Sequence, residues 1–127
     1  MKAVDTNIVL RFVLDDDPAQ SPIAESVVRA GVFVPVTVLL EAGWVLSSRY
    51  GFDRQRLAAT LAAFLDVPSV QVADEPGIRA AIERHRAGAD LADAFHLAAA
   101  GGSEAFVTFD KHLARLEDPP IPIELAS

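Results

Sequence analysis

The sequence contains no cysteine. A disulfide framework, a thiolate zinc site and a cysteine nucleophile are therefore excluded together, and a reducing compartment is compatible with the chain. Long apolar runs are missing too. The most apolar stretch, Val32 to Leu46, is interrupted by Pro35 and Glu41 and is too short to cross a bilayer. No long apolar region follows Lys2 that could serve as a secretory signal. The expected location is cytoplasmic, with no membrane contact. Basic residues are scarce: eleven Lys and Arg stand against eighteen Asp and Glu, a formal net charge of −7. That deficit argues against a broad basic groove for nucleic acid. It leaves room for a cluster of carboxylates whose bound cations would reverse the local sign. Internal repeats, low-complexity tracts and linkers are absent as well.

What is present is 127 residues, 51% of them apolar, which suits one domain spanning residues 1–127 with a sizeable core. Short apolar runs predict strands at residues 2–4, 32–34, 69–72 and 105–108, with a last one at 121–125. Between them, helical spacing predicts helices up to Leu14, from Ser21 to Ala30, from Thr37 to Tyr50, from Asp53 to Asp66, from Glu75 to Ala87 and from Asp90 to Ala100. A helical turn is expected over Leu113 to Leu116. Ser21 reads as the cap of its helix, with Pro22 in the first turn. Such alternation predicts an α/β fold, a three-layer α/β/α sandwich around a mostly parallel sheet. In sheets of this kind ligands bind beyond the C-terminal strand ends, where Asp5 and Asp110 fall.

Each acid has a structural and a functional reading. Asp5 could cap the first helix, but Thr6 and Asn7 could do so equally, which would free Asp5. Glu41 sits in VTVLLEAGWVL, among apolar neighbours. It is either one residue of a polar stripe that continues through Ser47, Ser48 and Arg49, or a carboxylate on a buried face, which needs a partner or a metal. Asp90 and Asp93 lie three apart on one helix face, where like charges destabilise unless a cation intervenes. Asp90 can serve as an N-cap, whereas Asp93 falls inside the helix. Asp110 ends AFVTFD and could be a turn or cap. The signal lies in the set, since acids at two strand ends, on a helix and at a helix start can face one crevice. Carboxylates without Cys or a His cluster select hard cations such as Mg²⁺ or Mn²⁺, and such ions support phosphodiester cleavage. His96 reads as a core or rim residue near Asp93. Trp44 and Phe95 read as core. Arg49, Arg54 and Arg56 form a small basic group, usually a solvated face but capable of meeting RNA phosphates.

The motifs VDTNIVLRFVLDDDP, VPVTVLLEAGWVLSSRYGF, GADLADAFHLAAA and VTFDKHLARL, in that order, make the chain resemble PIN domains, in particular VapC-type toxins of toxin–antitoxin pairs. The resemblance implies Mg²⁺- or Mn²⁺-dependent cleavage of RNA, a homodimer and a cognate antitoxin protein. It places the family's catalytic and metal-binding acids on Asp5, Glu41, Asp93 and Asp110. Asp90 falls on a commonly acidic position beside them. Thr6, Asn7 and Thr108 fall on polar positions that orient the acids. Two alternatives come from other classes: a PIN-fold module that binds RNA or protein without activity, and a receiver-like phosphoacceptor domain. The second would need an acceptor Asp after a middle strand, where Asp74 stands, and a late Lys, for which Lys111 is the sole candidate.

Overall fold

A short strand followed by two helices is the repeating unit of the fold, and the computed structural model describes residues 1–127 throughout. β1 (Lys2–Ala3) leads into α1 (Thr6–Leu14) and α2 (Gln20–Arg29). β2 (Val32–Phe33) leads into α3 (Val36–Ser48) and α4 (Arg54–Leu65), and β3 (Val70–Gln71) into α5 (Glu75–Arg86) and α6 (Leu91–Ala99). β4 (Phe106–Thr108), α7 (Lys111–Ala114) and β5 (Ile123–Leu125) complete the chain. The result is the α/β fold that the alternation predicts.

Every strand pair is parallel. Lys2 and Ala3 pair with Val32 and Phe33, which pair in turn with Val70 and Gln71. Phe106, Val107 and Thr108 pair with Ile123, Glu124 and Leu125. The expected single sheet is nevertheless divided in two: β1-β2-β3 form one ladder, β4-β5 the other, and β1 and β4 each keep an unpaired edge. Strands of two or three residues offer few ladder bonds. Pairing at such a seam is therefore weakly specified by the backbone alone.

Aspartate starts most of the helices. Asp5, Asp53, Asp74, Asp90 and Asp110 are the N-caps of α1, α4, α5, α6 and α7, and each side chain accepts a backbone N–H bond. Such a bond satisfies one of the donors that a helix start leaves over. α2 departs from the sequence-based expectation. It begins at Gln20, with Asp17 Oδ1 accepting from the N–H groups of Ala19 (2.9 Å) and Gln20 (2.8 Å). Ser21 is buried instead of capping, and its hydroxyl donates to the Arg11 carbonyl at 2.9 Å. A carboxylate one turn earlier has taken the role assigned to the serine.

α3 lies at the centre and packs against α1, α4 and α6. Its Leu39, Ala42 and Leu46 are fully buried, as are Leu61 of α4, Ile82 of α5 and Phe95 of α6. Gly43 lets α6 come close: a Cβ there would stand 2.6 Å from Leu91 Cδ2. The two helices that carry Glu41 and Asp93 thus touch through a residue with no side chain. Gly88, at φ 126°, ends α5 in a backbone conformation that favours glycine and turns the chain toward Asp90.

Candidate functional site

The predicted acids line two clefts, Asp5 and Glu41 one and Asp90, Asp93 and Asp110 the other. The first is built where β1 meets α1 and α3. Asp5 leaves the strand in extended backbone (φ −95°, ψ −179°) and accepts from Ile8 N–H at 3.2 Å, so of the three capping candidates it is Asp5 that caps α1. Thr6 is instead free to donate its hydroxyl proton to Glu41. Asn7 is exposed beside them. Glu41 is itself exposed and not on a buried helix face. The exposed positions of α3 are Thr37, Glu41, Trp44, Ser47 and Ser48, and all but Ser47 are spaced four, three and four apart as one helical stripe requires. The polar-stripe reading of Glu41 therefore holds, and Trp44, expected in the core, lies on the same stripe and is 61% exposed. Phe95 is buried as expected.

The second group gathers where α6 begins and β4 ends. Asp90 caps α6 by accepting from Asp93 N–H at 3.0 Å. Asp110 caps α7, accepting from His112 N–H at 2.8 Å and Leu113 N–H at 3.3 Å, and its own N–H donates to Thr108 Oγ1 at 3.0 Å. That cap explains why α7 starts two residues earlier than the sequence pattern suggests. Asp90, Asp93 and Asp110 line one open cleft of about 720 Å³ together with Arg84, His112 and Arg115.

Asp93 is the acid whose environment disfavours its charge. Partial burial raises its pKa above the ordinary aspartate value, the neighbouring charges of Asp90 and Asp110 raise it further, and His96 partly offsets them. A carboxylate held against repulsion by two others is a frequent sign of a cation-binding or catalytic site. His96 is exposed, on the rim of this group.

The two groups do not merge. Asp5 and Glu41 line a separate cleft of about 450 Å³, and no set of three or more acidic or histidine side chains is placed to hold one ion. Asp5 follows β1 and Asp110 follows β4, and those two strands are not paired. The donor chemistry suits Mg²⁺ or Mn²⁺, but the residues as placed do not fit a shared metal centre.

One supporting element was missed in the sequence. Arg54 was grouped with Arg49 and Arg56 as a basic patch, yet its Nη1 donates to the carbonyls of Ala89 (2.8 Å) and His85 (3.3 Å). The buried His85 lies against the same Ala89 oxygen, its Nδ1 at 2.8 Å. This clamp holds the turn that delivers Asp90 to its capping position. Arg56 lies over the Phe52 ring, 3.9 Å from its centre. Only the position of Arg54 directly after the cap Asp53 hinted at such a task. The acid required by the receiver-like alternative, Asp74, is the cap of α5 in left-handed backbone (φ 53°) and accepts from Gly77 N–H at 3.2 Å.

No helix is long and apolar enough to cross a membrane. Comparison with protein families matches residues 2–119 to the PIN domain. No curated protein matches the chain.

Proposed function

The chain belongs to the PIN domain family, whose members are generally nucleases that use divalent metals, and from that premise we propose that it is an Mg²⁺- or Mn²⁺-dependent endoribonuclease. The observation that carries the reading is Asp93, partly buried and held beside Asp90 and Asp110 with its pKa raised. Asp90 and Asp110 cap α6 and α7, but Asp93 has no such duty, and phosphodiester cleavage uses clustered carboxylates. Asp5, Glu41, Asp93 and Asp110 are the proposed catalytic and metal-binding acids. Asp90, Thr6, Asn7 and Thr108 are the proposed orienting residues.

The reading carries a structural requirement: Asp5, Glu41, Asp93 and Asp110 must act on one phosphate. Docking of β4 along the free edge of β1 would bring the two strand ends side by side. On the biological side, we propose a cytoplasmic toxin of a type II toxin–antitoxin pair, a homodimer of one-domain chains silenced by a cognate antitoxin protein. The resemblance of the four motifs to VapC-type toxins supports this. The receiver-like alternative falls with the family match.

A second reading, a PIN fold that binds RNA or protein without cutting, is favoured by one observation: no three acidic or histidine side chains are placed to hold one ion. Cleavage of a mixed RNA with Mg²⁺, with Mn²⁺ and with EDTA, beside the Asp93→Asn variant, decides between them. Metal-dependent cutting that disappears in the variant supports the nuclease. RNA binding with no cutting under any of these conditions, from folded protein, supports the binding module.

A further inference from the structure

We propose that Trp44 is a stacking platform for an unpaired base of single-stranded RNA, next to the Asp5–Glu41 half of the site. The proposal rests on the RNA-directed reading above. Trp44 is the chain's one tryptophan, and it is 61% exposed on the middle of the central helix. It follows Glu41 by three residues on the outward stripe of α3, so the ring and the carboxylate are neighbours on one helix face. The same cleft is lined by Asp5, Glu41, Trp44, Arg49 and Tyr50. Tyr50 is 40% exposed. Arg49 has no carboxylate partner, since the ion pairs of the protein involve Arg11, Arg29, Arg79 and Arg86.

The mixture of groups says what would fit. A ring-sized apolar surface beside a free guanidinium matches a nucleotide better than it matches an apolar protein segment. A base has a π-face for Trp44 and a phosphate for Arg49. The charge balance points the same way. A chain of net charge −7 gains little from bulk attraction to RNA, so an uncharged contact has to supply part of the affinity. Stacking is such a contact. It selects unpaired bases over duplex, because paired bases hide their faces in the helical stack.

The sole tryptophan is its own probe. The intact chain is kept in EDTA, so that RNA stays uncut, and tryptophan emission is followed while a mixed-sequence single-stranded RNA oligonucleotide is added. Quenching by the single strand, little change with the same sequence as a duplex, and a shallow dependence on salt are expected. Trp44→Ala should weaken binding measured by anisotropy of labelled RNA about 5- to 100-fold, and Trp44→Phe should retain most of it. Both variants replace an exposed side chain, and circular dichroism checks their folding.

Unchanged emission and unchanged affinity in Trp44→Ala would overturn the inference; RNA cleavage by that same variant at the wild-type KM would do so while leaving the nuclease reading intact. Emission that follows protein concentration and not RNA would also overturn it, by making this face an interface between protein chains. Quenching by single-stranded RNA in a chain that cuts nothing would uphold the platform and remove the nuclease.

Discussion

The hydroxyl of Thr6, the first residue of α1, donates a hydrogen bond to the carboxylate of Glu41 on α3, across a separation of 35 residues in sequence. The bond fixes one carboxylate oxygen and leaves the other free, and it joins the helix capped by Asp5 to the helix that carries Glu41. Thr6→Val keeps the shape and removes the donor. We expect a folded protein whose RNA cleavage falls about 10- to 100-fold, the usual loss when a group orienting a metal-site residue is removed. Steady-state kinetics would check it, and a rate equal to wild type would leave the bond a purely structural link.

Asp93→Asn should abolish cutting and raise stability at neutral pH. The sign follows from the raised pKa. The folded state holds the Asp93 proton more tightly than the unfolded state does, so this group contributes most to stability in acid. That contribution is lost as pH rises from the ordinary aspartate value through the folded one. Asparagine has no proton to lose. The variant should therefore melt about 1–2 °C above wild type at neutral pH, because it removes a charge disfavoured first by burial and then by Asp90 and Asp110, with the gap closing in acid. Calorimetry across that range would show it, and a variant less stable at neutral pH would contradict an Asp93 charge disfavoured in the folded state.

Arg54→Met should loosen the turn before α6. It removes the bonds to the carbonyls of His85 and Ala89 while keeping much of the side-chain volume. A loss of about 1–3 kcal/mol in denaturant unfolding is expected, with increased hydrogen exchange at Ala89 to Asp93. Unchanged exchange there would place the clamp's effect elsewhere.

Gly43→Val tests the contact between the two acid-bearing helices. Its side chain would meet Leu91, Leu61 and Leu57, and overpacking of this kind costs about 1–3 kcal/mol. Gly43→Ala should cost less, because a gain in helix propensity of about 1 kcal/mol opposes the clash. A melting temperature in Gly43→Val equal to wild type would show that α3 and α6 have room to spare.

The seam between β1 and β4 can be watched directly. The chain has no cysteine, so Ala3→Cys with Val107→Cys gives two exposed labelling sites and no others. Paired strands lie about 4.8 Å apart. Spin labels on these sites should move closer when Mg²⁺ is added if the acidic halves close on each other. An unchanged distance under conditions where RNA is cut would mean that the acids work from the open arrangement.

Much of this was legible in the sequence, for reasons tied to local chemistry. Asp90 was readable as a cap because it stands directly before an apolar helical pattern, and the structure gives it that role. Trp44 was misplaced because VTVLLEAGWVL is apolar almost throughout. Periodicity in such a run does not reveal which turn a neighbouring helix covers. The acids could be chosen by type and position. Their distribution between two clefts could not, because it depends on whether strands 100 residues apart pair, and that is decided by tertiary contacts.

Because Asp5 and Asp110 each hold a helix start with the same carboxylate proposed for chemistry, the routes by which descendants of this gene could lose activity are unequal. Asparagine caps a helix about as well as aspartate and lies a single base change away in the genetic code. Alanine would forfeit the cap and with it part of the stability. Drift toward silence should therefore run through asparagine, leaving chains that fold and persist as antagonists or binders long after the charge has gone.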